Sequence, residues 1–233
     1  MMTLRAAEER GKADFGWLQS RHSFSFGRYI DRRFMGFGPL RVINEDWVQG
    51  GQGFDTHPHD NMEIVTYVMS GALEHKDSMG NGSIIRPGEV QHMSAGTGVY
   101  HSEFNPSESE SVHLLQIWFL PDEIDIKPVY SQKAFSAEER KNKLRLLLSQ
   151  GGRNDSLKIN QDVDYYGSLL DEGHKLTLTP QPNRLQWVQL AKGGLNVNGT
   201  DMREGDGLAI SDESEINILA NMDSEFLFFD MTK

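Results

Sequence analysis

Two short segments of the sequence carry pairs of potential metal ligands, His57-Pro58-His59 and His101-Ser102-Glu103. Residues at positions i and i+2 of a β-strand project to the same face, so each pair can direct two side chains to one point. Together the pairs offer three imidazole nitrogens and one carboxylate, a donor set suited to Fe(II), Mn, Co, Ni, Cu or Zn. A single His-x-His segment is more often a surface or hydrogen-bonded pair. Two such pairs beside turn glycines favour a metal site. Spacing alone still allows the alternative, in which these residues have only a structural role.

The composition narrows the kind of site that this chain can build. Among its 233 residues are eight histidines and no cysteine, and six of the histidines lie between His57 and His113. The absence of cysteine excludes disulfides, thiolate metal sites and cysteine nucleophiles. A formal net charge of −11 without a Lys/Arg cluster makes nucleic acid an unexpected partner. No run of 18 apolar residues and no export-type apolar segment is present, so we expect a cytoplasmic protein that does not bind membranes.

Most of the chain is predicted to form short β-strands separated by Gly, Asn and Asp turns. Residues 64–69 and 112–120 are rich in β-branched and aromatic residues, and similar segments follow at 185–191, 195–197, 208–211, 216–220 and 226–230. Many short strands at this spacing indicate a β-sandwich or β-barrel. One short helix is predicted over residues 136–143, where Ser136 and Glu139 can form a capping box.

The charged helical segment falls near the middle of the chain, and a similar sequence pattern occurs on each side of it. An apolar strand, a glycine, a short strand, an Asn-Gly turn and a second glycine occur in both halves, at Asn81-Gly82 and at Asn198-Gly199. The spacings within the two patterns differ, but the repeat favours a duplicated β-barrel over one extended sandwich. We therefore expect an N-terminal barrel at residues 1–133 that carries the metal site. A C-terminal barrel at residues 134–233, with His174 as its only histidine, is expected to lack metal ligands.

The first ligand pair also resembles a cupin motif, in which a carboxylate ligand follows the two histidines. Glu63 stands near that position but is one residue out of step with Gly71, which ends the following strand. Glu103 is in phase with His101 on its own strand, and phase decides the direction in which a strand residue points. Glu103 is therefore the better candidate for the carboxylate ligand, and Glu63 is interpreted as a strand residue near the site.

Further motifs extend the resemblance over nearly the whole chain. They are Gly16-Trp17-Leu18, His22-Ser23-Phe24-Ser25-Phe26, Met35-Gly36-Phe37-Gly38-Pro39-Leu40-Arg41-Val42-Ile43-Asn44, Thr56-His57-Pro58-His59, Ser94-Ala95-Gly96-Thr97-Gly98 and His101-Ser102-Glu103. With these motifs the chain resembles the pirin family, and within it the short bacterial pirin-like quercetin 2,3-dioxygenases. The resemblance implies an all-β bicupin fold, two tandem jelly-roll barrels with few short helices. It also implies one mononuclear metal held by residues matching His57, His59, His101 and Glu103.

The resemblance also implies an activity, the cleavage of a flavonol such as quercetin by O₂ with loss of carbon monoxide. Fe(II) is the expected metal, with Cu, Ni, Co, Mn and Zn as alternatives, and Glu103 is expected to serve also as a general base. The expected partners are an aromatic small molecule and O₂, and the expected state is a monomer. Two other functions stay open: a metal-dependent regulatory or protein-binding module, and a cupin enzyme with a different substrate.

The sequence does not identify the substrate-binding residues. The Phe and Met residues of segment 24–37 are expected to pack between sheets rather than to contact a substrate. His75 and His92 are expected at turns or strand ends, and His113 is a candidate for lining the first barrel.

Overall fold

The structure, a computed structural model, describes all 233 residues and is built almost entirely of β-strands. The chain divides into two compact units, one formed by residues 11–134 with 159–161 and the other by residues 1–10, 135–158 and 162–233. No helix is long and apolar enough to cross a membrane.

The first unit holds strands β2 to β12 in two antiparallel sheets. One sheet has seven strands in the order β12-β9-β6-β11-β4-β3-β2, and the other has four in the order β5-β10-β7-β8. Apolar side chains such as Val48, Leu73 and Leu114 form a core cluster with residues from both sheets. The strands are β2 (Gly11–Asp14), β3 (Leu18–His22), β4 (Leu40–Val48), β5 (Gly53–His59), β6 (Glu63–Ser70), β7 (Leu73–Asp77), β8 (Gly82–Ile85), β9 (Glu89–Ser94), β10 (Val99–Phe104), β11 (Val112–Phe119) and β12 (Val129–Ala134).

The second unit repeats the same arrangement of a seven-stranded and a four-stranded sheet. The orders are β1-β20-β17-β22-β15-β13-β14 and β16-β21-β18-β19, around an apolar core that includes Leu190, Val197 and Phe226. The all-β bicupin expectation is therefore confirmed. The strands are β1 (Met2–Arg5), β13 (Arg145–Ser149), β14 (Leu157–Lys158), β15 (Val163–Leu170), β16 (Lys175–Leu178), β17 (Arg184–Lys192), β18 (Gly194–Val197), β19 (Thr200–Arg203), β20 (Gly207–Ser211), β21 (Ile216–Ala220) and β22 (Ser224–Thr232).

The unit boundaries differ from the predicted ranges 1–133 and 134–233 at two places. Strand β1 pairs with β20 from Met2 opposite Ile210 to Arg5 opposite Gly207, so residues 1–10 belong to the second unit. Residues 159–161 belong to the first unit. Strand pairing over about 200 residues of sequence separation leaves no local pattern, and for this reason the sequence did not indicate it. The change of unit between residues 134 and 135 lies one residue from the predicted boundary.

The helical elements are few and short. Helix α1 spans Ala137–Arg140, and its capping box joins Ser136 and Glu139 as predicted. Two 3-10 turns, Ala7–Glu9 and Arg153–Asp155, are the other helical segments. Helix α1 ends earlier than the predicted residue 143 because Lys141 is extended and Asn142 has a positive φ of 55°, a left-handed conformation that an α-helix does not continue through.

Candidate metal centre

Three of the predicted ligands come together on two paired strands of the first barrel. His57 and His59 lie on β5, His101 lies on the adjacent strand β10, and His101 is directly opposite His57. The ring centroids are 4.4 Å apart for His57 and His101, and 4.9 Å apart for each of the other two pairs. One ligand atom from each of the three residues lies within 4.8 Å of the other two. This clustering follows from the i, i+2 spacing, which turns both β5 histidines toward one face of the strand.

Glu103 lies next to this cluster, in a second group that shares His101. Ligand atoms of Glu103, His101 and His75 lie within 4.8 Å of one another. A β-bulge separates His101 from Glu103, because Glu103 pairs with Phe54 and β5 carries one residue more than β10 over this step. The Gln116 amide donates to the two carboxylate oxygens of Glu103 at 2.7 and 2.9 Å, and the Thr66 hydroxyl lies 3.4 Å away. Glu103 is thus held rigidly beside His101.

The electrostatic environment keeps His59 and His101 neutral. Burial, together with the positive charge that neighbouring imidazoles would carry, lowers the pKa of His59 to about 4 and that of His101 to about 3. His57 Nδ1 lies 2.7 Å from the carbonyl oxygen of Asp55, which orients that ring and leaves its Nε2 available. Nε2 of His101 is buried and has no hydrogen-bond partner within the protein. Neutral imidazoles beside a buried carboxylate fit a divalent transition metal, since a metal ligand must carry a free lone pair.

Burial raises the pKa of Glu103 to about 7 despite the hydrogen bonds from Gln116 that act in the opposite direction. A carboxyl group with such a pKa can take or release a proton near neutral pH. This environment was not evident from the sequence, because Gln116 and Thr66 lie on strands β11 and β6, away from Glu103 in the chain.

A cavity of about 840 Å³ opens onto the cluster. Its wall combines aromatic rings with polar side chains, and the centroid of the Trp118 ring lies 4.9 Å from that of His59 and 5.4 Å from that of Phe26. The size and mixed lining are those of a small-molecule site. The lining residues are Lys12, Ala13, Asp14, Phe15, Leu18, Ser20, His22, Phe26, Gly27, Arg28, Tyr29, Asn44, Asp46, Phe54, His57, His59, Ile64, His101, Glu103, Gln116 and Trp118.

The aromatic residues of segment 24–37 divide between two roles. Phe24 is buried in the core, as expected for packing between sheets. Phe26 instead forms part of the cavity wall, so the expectation of packing between sheets is wrong for this residue; Tyr29, for which no role was predicted, also lines the cavity. The difference arises from a turn, since Phe26 and Tyr29 exchange backbone hydrogen bonds across residues 27 and 28 and both rings lie at the cavity.

Polar residues of the seven-stranded sheet also line the cavity, among them Ser20, Asn44, Asp46 and Gln116. Ser20 is opposite Asp46, and Asn44 is opposite Gln116, which is in turn opposite Thr66. Burial raises the pKa of Asp46 to about 7. The sequence reasoning missed these residues. The available signal was the occurrence of Asn44 and Asp46 at alternating positions of β4, on the strand face whose other residues, Leu40, Val42 and Val48, are apolar.

The remaining histidines are placed differently from their predicted positions. His75 and His92 are buried in the interiors of β7 and β9, so their assignment to turns or strand ends is wrong. His113 lies outside the cavity wall, stacked on Trp47 at 4.3 Å and donating to Glu45. His22, for which no role was predicted, lines the cavity.

Glu63 also lies outside the cavity wall, as its interpretation as a strand residue requires. Its carboxylate accepts hydrogen bonds from His92 at 2.7 Å, from the backbone N–H of Asn160 at 3.0 Å and from the Ser94 hydroxyl. These donors occupy both carboxylate oxygens of Glu63, which belongs neither to the ligand clusters nor to the cavity wall.

Comparison with known proteins agrees with this architecture. The family model for pirin matches residues 3–119, and a model described as the quercetinase C-terminal cupin domain matches residues 146–231. The chain belongs to the pirin family. The first matched region lies mainly in the first barrel and the second mainly in the second barrel, and all three clustered histidines lie within the first matched region.

Relatives in this family are similar over the whole chain. A quercetin 2,3-dioxygenase of Escherichia coli K12 is 49% identical over 231 residues, which cover 99% of both chains. A putative quercetin 2,3-dioxygenase of Pasteurella multocida is 43% identical over 99% of this chain and 100% of its own. The crystal structure of the E. coli bacterial pirin YhhW in complex with nickel(II) is 48% identical, covers 100% of this chain and 99% of its own, and superposes with a TM-score of 0.96.

Proposed function

We propose that this pirin-family chain binds one divalent transition metal through His57, His59, His101 and Glu103 and cleaves flavonols such as quercetin with O₂. The observation that carries the proposal is the convergence of three histidines at an open cavity with an aromatic wall. The activity is that named for the E. coli relative, and nickel(II) is bound by a related pirin. Fe(II) is the proposed metal, because three histidines and a carboxylate suit it, with Ni, Cu, Co, Mn or Zn as substitutes.

When bound, the metal would supply Lewis acidity toward a hydroxyl group of the substrate. The reaction would begin with loss of the proton from that hydroxyl, and we propose that Glu103, when it is detached from the metal or only loosely bound, accepts it. In the metal-free chain burial raises the pKa of Glu103 to about 7, a value suited to a general base that works near neutral pH once the carboxylate is free of the metal. Gln116 holds the carboxylate through two hydrogen bonds, so the accepting oxygen keeps a fixed position while its protonation changes.

The cavity wall provides binding and orientation for a planar aromatic ligand. Phe26, Trp118 and His59 present ring edges and faces along one side of the cavity. Aromatic surfaces of this kind bury a polyphenol ring and hold it by stacking or edge contacts. Binding of the ligand against these rings also displaces water from the reacting centre. Electrostatic interactions there become stronger because less water screens them.

One assay tests the proposal. The purified chain is loaded with Fe(II) under anaerobic conditions, its metal content is quantified, and quercetin loss and carbon monoxide release are followed with and without O₂. We expect oxygen-dependent turnover by the wild type and its loss in His59→Ala. His174→Ala, in the second barrel, is the matched control and should keep full activity.

The outcomes separate the alternatives. A metal-loaded wild type without oxygen-dependent turnover would refute the dioxygenase proposal and favour a regulatory module or a cupin enzyme with another substrate. Turnover unchanged in His59→Ala would refute the assignment of the site. The chain is further proposed to act as a monomer, because each barrel buries the inner faces of its own sheets; light scattering coupled to gel filtration measures this.

A further inference from the structure

We propose that His75, held by Asp77, is a positioning residue that fixes the tautomer and ring orientation of His101. The inference rests on the proposed metal site and adds to it a buried hydrogen-bonded series of three residues, Asp77 and His75 on β7 and His101 on β10. His75 lies between the turn that follows β7 and the histidine cluster, outside the set of four proposed ligands. This role extends the proposed function, because His75 would hold the ligand His101 in a tautomer and orientation suited to metal binding.

The geometry places the three side chains in sequence. His101 is directly opposite Asp77 and Glu103 is directly opposite His75 in the pairing of β10 with β7. His101 Nδ1 lies 3.5 Å from His75 Nδ1, and His75 Nε2 lies 3.1 Å from the Asp77 carboxylate. The His75 ring is completely buried, so water does not compete for either of its nitrogens.

The directions of the hydrogen bonds allow one consistent placement of the ring hydrogens on His75 and His101. The Asp77 carboxylate can only accept, so His75 Nε2 carries a hydrogen and donates it. His75 Nδ1 then has a free lone pair and accepts from His101 Nδ1–H. Nε2 of His101 is left without a hydrogen, and it is the buried nitrogen that lacks a partner within the protein. The series therefore presents the lone pair of His101 to the cluster formed with His57 and His59.

Asp77, at the end of this series farthest from His101, is held rigidly. The Asp77 carboxylate accepts from the backbone N–H groups of Met79 and Asn81 at 2.9 and 3.0 Å and from the Asn81 side chain at 2.9 Å. The His75 ring stacks on Tyr130, with centroids 4.8 Å apart and planes inclined by 29°. Tyr130 is in turn bonded to Ser83 and donates to Gln132 at 2.8 Å. A ring held from both sides can set the orientation of its neighbour.

Residues that orient a metal-binding histidine usually change metal affinity about 10–100-fold when they are removed. His75→Phe removes both nitrogens but preserves a ring that can stack on Tyr130. We expect it to weaken Co(II) and Ni(II) binding by about 10–100-fold and to change the Co(II) absorption spectrum. His75→Gln supplies an acceptor oxygen and should recover part of that affinity. His92→Phe is the matched control, since His92 is also buried and paired with a carboxylate but lies outside the cavity wall.

The experiment measures Co(II) and Ni(II) affinity by competition with a chelating dye on the full chain, together with the melting temperature of each variant. Nitrogen-15 spectra of the metal-free chain give the tautomer of His101 independently of any metal. We expect the Nδ1–H tautomer in the wild type and a population of the Nε2–H tautomer in His75→Phe. If His75→Phe does not fold, His75→Gln and Asp77→Asn provide the same two measurements.

Each outcome bears on a separate claim. A wild type that binds no metal, but shows the expected tautomer switch, would sink the proposed metal site and leave the positioning role of His75 intact. Affinity, Co(II) spectrum and tautomer in His75→Phe equal to those of His92→Phe would overturn the positioning role. Two metals per wild-type chain and one in His75→Phe would also overturn it, because His75 would then be a ligand.

Discussion

The buried carboxyl group of Asp46 should make the stability of the metal-free first barrel depend on pH. Burial raises its pKa from an ordinary value of 3.8 to about 7, even though Ser20 donates a hydrogen bond that lowers it. Between these two values the folded chain keeps the proton that the unfolded chain has already released. Stability therefore falls as the pH rises through this range. Asp46→Asn keeps the shape and an acceptor oxygen for Ser20 but cannot ionise.

The size of the effect follows from the pKa difference. A difference of about three, at about 1.4 kcal/mol for each pH unit, corresponds to about 4 kcal/mol in total. About half of it, roughly 2 kcal/mol, develops between pH 5.5 and pH 8. Over this range the free energy of unfolding of the metal-free wild type should decrease by about 2 kcal/mol relative to Asp46→Asn.

Urea unfolding of chelator-treated protein measures this difference. Trp187 is the one tryptophan in the second barrel, so a Trp187→Phe background restricts the fluorescence signal to the first barrel. Glu108→Gln, at an exposed loop carboxylate, is the control and should follow the wild type. Parallel stability curves for the wild type and Asp46→Asn from pH 5.5 to pH 8 would refute the reasoning.

Three further predictions concern the same barrel. Burial alone would raise the pKa of Glu63, but hydrogen bonds from His92 and its other donors hold it below 4.5, so its stabilisation is present above pH 4.5 and lost as the pH falls further. Glu63→Gln should therefore lower stability at pH 7 by about 1–3 kcal/mol and flatten the acid limb of a urea-unfolding series, and an unchanged acid limb would contradict this. A Cβ atom on Gly53 would lie 2.2 Å from the backbone oxygen of Glu103, so Gly53→Ala should separate β5 from β10, cost about 1–3 kcal/mol and weaken Ni(II) binding in calorimetry; wild-type affinity would argue against this contact. Ni(II) at 100 times its dissociation constant should stabilise the chain by about 2.7 kcal/mol in thermal melts, and the gain should vanish in His59→Ala, so its persistence there would remove His59 from the site.

Many of the strands and their division into two barrels, apart from residues 1–10 and 159–161, could be predicted from local information. Alternating apolar residues, β-branched segments and Asn-Gly turns are read over a few residues, and each such signal acts locally in the folded chain. The same is true of His57 and His59, whose spacing sets their common face without reference to any other strand. The capping box at Ser136 and Glu139 is a third example, because both partners lie within one turn of helix.

The environment of the site depends on pairings between distant strands. Gln116 reaches Glu103 from β11, and His75 reaches His101 from β7, so neither contact is visible in a segment of sequence. The expectation that His75 lies at a turn was wrong because a histidine flanked by charged residues looks exposed in one dimension. The register of β7 with β10 buries it against the ligands instead.

The sequence by itself determined the residue types available for chemistry: no thiolate, eight histidines, and two ligand pairs whose strand spacing points them to one side. Only the tertiary structure determined the protonation states of these residues and which side chains surround them. Burial keeps the imidazoles of His59 and His101 neutral and raises the pKa of Glu103 to about 7. Desolvation acts on a side chain through everything packed around it, and that surrounding is fixed only when the strands have paired.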